Sequence, residues 1–179
     1  MKKYLILYRP FLVFLAKFFL TYLVLSLIYQ GYLSRFDENS VDAVTRFVAR
    51  NTEQLLMLFH IDFYIEEISR TSYIMLYYNQ KAIARMIEGC NAINVIILFA
   101  SFVVSFSGKL KPTLFFILGG SIFIYILNVI RIALLCSALY WFPEQESVLH
   151  EIIFPLFIYG VVFVLWVIWV NQFSLYAKK

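Results

Sequence analysis

Three side chains in this sequence have the types that cysteine acyl transfer needs: Cys90, in Glu88-Gly89-Cys90-Asn91; Arg131, in Asn128-Val129-Ile130-Arg131; and His150. A thiolate is the nucleophile. An imidazole can take the thiol proton and later give it to a leaving group. A guanidinium, always charged, can hold the oxyanion of a tetrahedral intermediate or orient the substrate carbonyl. Arg131 stands out because it is the one charged residue between Pro112 and Phe142. An arginine at the bilayer centre is disfavoured by about 2.5–3.5 kcal/mol or more, so it faces protein or a water-filled cavity. Tyr125, Asn128 and Arg131, spaced i, i+3, i+6, form one polar stripe on a helix.

Each of these residues also has a plainer role open to it. Buried thiols are usually inert packing groups. Cys136 reads that way, about 140° around the helix from Arg131 and flanked by Leu134, Leu135 and Ala138. His150 can be an interfacial residue or a partner of Glu146 four residues earlier, and Arg131 an interhelical strut or a snorkelling cation. His60 reads as a cap.

The elements that would position these groups follow from composition. The chain has 179 residues, 63% of them hydrophobic, 20% aromatic and 15% charged. Soluble domains carry about 25% charged residues, so this is the composition of an all-α polytopic membrane protein. The net charge of +4 does not point to nucleic acid, because the basic residues sit at the two ends and at short loops rather than forming one patch. Two cysteines and two histidines do not make a zinc module, and neither metal nor organic cofactor is expected.

About four transmembrane helices are expected, over residues 10–33, 90–107, 113–141 and 148–171 of one integral membrane domain, 1–179. The first is too long for a signal-peptide core and has no small-x-small cleavage site after it. Residues 34–88 form the one sizeable polar insertion. Within it, Asn39-Ser40 followed by Asp42 marks the start of an amphipathic helix. Val41, Val44, Val48, Leu55 and Phe59 should share one face, and Asp42, Arg46, Ala49 and Glu53 the other. Alternation over 61–66, and weakly over 73–77, suggests a short hairpin. Residues 81–88 read as a helical lead-in, with Arg85 and Glu88 paired at i, i+3.

Lysine and arginine counts put both termini and the Lys109/Lys111 loop inside, and the insertion and the Pro143–Ser147 turn outside. Arg131 then lies 19 residues past Pro112, about 28 Å along its helix, near the outer boundary. Cys90 and His150 stand at the outer mouths of two other spans. Three residues far apart in sequence thus share one membrane depth. A small transporter would instead cluster its polar residues near the midplane.

On these residues the chain resembles the exosortase/archaeosortase family of membrane cysteine transpeptidases, and most of all its short flavobacterial exosortase F group. The family pattern is a Glu-x-Cys stretch, an Asn-x-x-Arg stretch, and a histidine opening the next helix. Here these are Glu88-Gly89-Cys90, Asn128-Val129-Ile130-Arg131 and His150, within residues 85–159. The chain departs in carrying Asn91-Ala92-Ile93 after the cysteine, where the family more often has Ser/Thr-Gly-Ile, and in having fewer spans than the longer exosortases.

The resemblance implies an enzyme of the inner membrane whose site faces the periplasm. It would cleave C-terminal sorting signals of secreted proteins and transfer the new carboxyl end to a surface acceptor. Cys90, Arg131 and His150 would be catalytic, with Asn128 and Glu88 as supports. Its partners would be the sorting signal, membrane lipid and an accessory membrane protein. A non-enzymatic partner subunit of an export or surface-assembly system is the alternative from another class.

Overall fold

The computed structural model describes residues 8–37, 39–106 and 108–174. The elements run α1 (Arg9–Leu33), α2 (Ala43–Leu58), β1 (Phe63–Glu67), β2 (Ile74–Tyr78), β3 (Lys81–Met86), α3 (Ile93–Ser105) and α4 (Leu110–Trp141). The last, α5, is the continuous helical segment Pro143–Phe173. Helices α1, α4 and α5 are each long and apolar enough to cross a membrane. The protein is a helical polytopic membrane protein, and among the described residues a small sheet lies in the polar insertion. The terminal lysines behind the expected orientation (Lys2, Lys3, Lys178, Lys179) lie outside the described residues.

The expected spans over 10–33, 113–141 and 148–171 match α1, α4 and α5 to within a few residues, but the one over 90–107 shortens. Its helix, α3, has 13 residues, about 20 Å, against a hydrocarbon core of about 30 Å. The first residues of that apolar run are spent on a turn. Helix α3 packs on α1, α4 and α5. Its fully buried Phe99 lies against Gly120 of α4, where an added Cβ would overlap the Phe99 ring. Small residues let membrane helices approach this closely. Gly120→Ala is therefore expected to destabilise the bundle by about 1–3 kcal/mol, seen as a lower thermal midpoint in detergent.

Outside the bundle, α2 starts where Asp42 accepts hydrogen bonds from the Val44 and Thr45 amides at 2.9 and 3.0 Å. Its buried face is rotated from the expected one. Thr45, Val48, Ala49, Thr52 and Leu56 face inward, while Phe59 is 68% exposed. Threonines go inside because their hydroxyls find partners there: Thr52 donates to the Val48 carbonyl (3.0 Å), and Thr45 accepts from Asn91 (3.2 Å). The outward apolar residues Phe47, Met57, Leu58 and Phe59 suit a helix lying in a lipid interface.

The expected hairpin is a three-stranded antiparallel sheet of order β1-β2-β3. Strands β2 and β3 are joined by Asn79-Gln80, both at positive φ (46° and 64°), as a type I′ turn requires. The helical reading of residues 81–88 is thus corrected. Ala82, Ala84, Arg85 and Met86 are good helix formers, but pairing with β2 overrides that preference. Arg85 lies over the Tyr73 ring, 5.5 Å from its centroid.

The sheet, α2 and the last turns of α4 enclose one core, including Val48, Leu56, Phe63, Ile74, Met86, Ile132 and Cys136. Helix α4, about 48 Å long, exceeds the bilayer core, and its excess stands in this unit, with Tyr140 stacked on Tyr78.

Arg46 donates to both carboxylate oxygens of Glu67 (2.9 and 2.6 Å) and ties α2 to β1. This bond holds the Glu67 carboxyl below its usual range. With the folded value depressed, the contribution is complete above the ordinary value of 4.5 and is lost as pH falls through the lower folded one. The pair is 34% and 42% exposed, so screening limits it to about 1 kcal/mol. Glu67→Gln should lower the thermal midpoint slightly at neutral pH and leave it unchanged in acid.

Candidate active site

Cys90 ends a short 3-10 turn, Glu88–Cys90, closed by the Cys90 amide donating to the Ile87 carbonyl at 2.9 Å. Two buried asparagines clamp this turn. Asn128 of α4 donates to the Cys90 carbonyl oxygen at 2.8 Å. Asn91 donates to the Tyr29 hydroxyl of α1 (2.8 Å) and to Thr45 of α2 (3.2 Å), and accepts from the Ile93 amide (3.0 Å). Between the clamp and α3, Ala92 adopts a left-handed conformation (φ 65°). That costs a non-glycine residue about 1–2 kcal/mol, and it persists because Asn91 and burial fix the backbone around it. The turn therefore presents a half-buried thiol in one orientation.

Arg131 lies one turn beyond Asn128 on α4, on the stripe that begins at Tyr125, which accepts from Asn51 of α2 at 2.7 Å. Its Nε is buried and without a hydrogen-bond partner among the described residues. A charged donor left unpaired in a buried place is costly and calls for an explanation. Both Cys90 and Tyr159 of α5 lie within electrostatic reach of the guanidinium. His150 sits on a π turn, Leu149–Ile153, near the start of α5. Single π turns recur at functional sites because they re-aim side chains.

These residues share one cavity. Cys90, Arg131 and His150, from three separate elements, line one cavity of about 500 Å³. Its remaining walls are Met75 and Leu76 of β2, β3 with Ile87 after it, the Ile132, Leu135, Cys136 and Leu139 side of α4, and Glu146. Asn128 stands behind the Cys90 turn. Glu88 is exposed on the same turn and does not line the cavity. Cys136 is fully buried, yet it forms part of the cavity wall. His60, at φ 58°, closes α2 as a left-handed cap residue.

Asn91 and Glu146 are the members that sequence reasoning did not assign to the site. Glu146 had a legible signal, since it stands four residues before His150. Asn91 had none beyond its neighbours, because its partners come from other helices.

The arrangement places a thiol, an imidazole and a guanidinium around one space, the groups that nucleophilic attack, proton transfer and oxyanion stabilisation require. A family model described as transmembrane exosortase matches residues 4–173. No curated protein and no solved structure matches the chain.

Proposed function

The chain belongs to the transmembrane exosortase family, a class of membrane transpeptidases and proteases acting on sorting signals, and from that premise we propose that it is a cysteine transpeptidase with Cys90 as nucleophile. His150 is the general base and acid, and Arg131 the oxyanion-stabilising group. The observation that carries this reading is the shared cavity: the three residues come from a turn, α4 and α5, and line one space, and the Arg131 Nε is buried without a partner among the described residues. The short chain and its motifs fit the flavobacterial exosortase F group. The substrate is the C-terminal sorting signal of a secreted protein, cut where its membrane anchor emerges.

His150 removes the Cys90 proton, and the thiolate attacks the scissile carbonyl carbon. The carbonyl oxygen takes up the negative charge beside the Arg131 guanidinium. Collapse of this intermediate breaks the C–N bond, and His150 returns its proton to the departing amine, the new N-terminus of the anchor segment. The carboxyl side of the cut remains as a thioester on Cys90. An acceptor nucleophile, deprotonated by His150, attacks that thioester and releases Cys90.

Asn128 is a positioning residue, acting through the Cys90 carbonyl. Asn128→Ala should lower kcat while leaving KM unchanged, and should cost about 1–3 kcal/mol of stability from the abandoned carbonyl. Asn128→Asp, which loses the amide donor, should fail to rescue turnover. Glu88 supports the turn only through its position in it.

The single domain, 1–179, sits in the inner membrane. The Lys109/Lys111 end of the bundle faces the cytoplasm, and the sheet and cavity face the periplasm. A membrane-impermeant maleimide added from outside, to a chain carrying Cys136→Ser, should alkylate Cys90 and stop processing. Processing that survives complete alkylation of Cys90 contradicts the assignment and favours a non-enzymatic partner role.

A further inference from the structure

Strand β3 borders the cavity in an unusual way. Side chains alternate across a strand, so a cavity lying on one face of it meets every second residue. Here every residue from 82 to 87 lines the cavity. Met75 and Leu76 of β2 line it too, so the space covers part of the sheet face and also reaches the edge of β3, where backbone N–H and C=O groups are presented. That edge is open: β3 pairs with β2 alone, and among the described residues no backbone group from outside the sheet bonds to residues 81–86. Ala82 and Ala84 keep it unobstructed. The opposite wall is apolar where Ile132, Leu135 and Leu139 of α4 form it. A peptide entering here has β3 as the row of backbone partners available to it, and unpaired backbone groups in such a place cost about 1–3 kcal/mol each.

Direction adds a second constraint. From the Asn79-Gln80 turn, β3 runs toward Ile87, whose carbonyl accepts from the Cys90 amide (2.9 Å), and the chain then enters α3. A sorting signal runs the same way, from the secreted domain down to its membrane anchor.

We propose that the free edge of β3 captures the extended segment preceding the substrate's anchor as an added parallel strand, and so sets the scissile carbonyl beside Cys90. This rests on the assignment of Cys90 as nucleophile. The strand supplies register and affinity through the main chain, and the cavity walls choose the side chains. An edge used this way is shielded from the usual fate of open edges, pairing with another copy, because residues of α4 and α5 also wall the cavity.

The test uses the full chain in native membranes with Cys90→Ala and Cys136→Ser. The probe is a secreted reporter carrying the C-terminal region of a surface protein that the unaltered chain processes. Single cysteines replace Ala82, Ile83, Ala84 or Arg85, or Leu156 or Gly160 for comparison, in the enzyme and successive positions before the anchor in the reporter, and disulfide formation is read on gels. Paired strands bring opposed side chains within disulfide reach. The expected pattern alternates with period two, and moving toward Cys90 along β3 moves the partner toward the anchor.

Three outcomes overturn the proposal: the reverse direction, cross-links between β3 strands of two copies, or reporter cross-links confined to Leu156 and Gly160 on the lipid-facing groove of α5. Processing by the Cys90→Ala chain is scored separately. If that substitution abolishes cleavage while the β3 pattern is absent, the nucleophile stands and strand capture falls.

Discussion

Replacing Cys90 with alanine is expected to abolish processing of a C-terminal sorting signal in the native host, with the chain still present in the membrane at its usual level. Removal of the nucleophile from a catalytic unit of this kind costs about 10⁶-fold in kcat, which leaves no detectable turnover in a cellular assay. The fold should tolerate the change. Cys90 is only half-buried, its backbone bonds to Ile87 and Asn128 involve no sulfur, and alanine removes one atom from a cavity wall. Immunoblotting of the reporter, with the enzyme quantified in the same membranes, separates lost chemistry from lost protein. A Cys90→Ala chain that still processes the reporter contradicts the mechanism.

Arg131→Lys has the second largest expected effect, because it keeps the charge and changes only its geometry. Guanidinium is a planar fork with five donors, whereas an ammonium is a compact, strongly hydrated charge on a flexible stem. The unpaired buried Nε is the donor with no counterpart in lysine. Loss of an oxyanion-stabilising donor costs about 10²–10³-fold in kcat, with little effect on substrate binding. Kinetics in nanodiscs should show that fall in kcat with KM nearly unchanged. Equal turnover in the lysine chain would reduce Arg131 to a structural strut that any cation can replace.

Much of this was legible from sequence because the membrane makes polar residues conspicuous. Arg131 and Asn128 stand in an otherwise apolar helix, and Cys90 and His150 mark the mouths of their segments. Depth along straight helices was enough to bring them to one level. The bounds of α1, α4 and α5 were legible for the same reason: hydropathy measures the bilayer directly.

The polar insertion obeyed other rules. Strand β3 is built from alanine, arginine and methionine, and its state is decided by a partner strand and a two-residue turn. The buried face of α2 was misread because Thr45 and Thr52 go inside to meet hydroxyl and carbonyl partners, which no hydropathy pattern records. Helix α3 begins late because Asn91 and Ala92 form the clamped turn. The Asn91 clamp joins residues 62 and 46 positions away in sequence, so it is invisible without the fold. The free edge of β3 follows from the same sheet.

The claim at the centre of this account is a thioester between Cys90 and the carboxyl side of the cut. It is tested most directly by acid-quenching membranes during turnover of the reporter and identifying the Cys90 peptide by mass spectrometry. The account predicts a reporter fragment ending at the cleavage site, joined to the Cys90 sulfur and released by neutral hydroxylamine. Continued turnover with Cys90 found only as the free thiol at every quench time would contradict it.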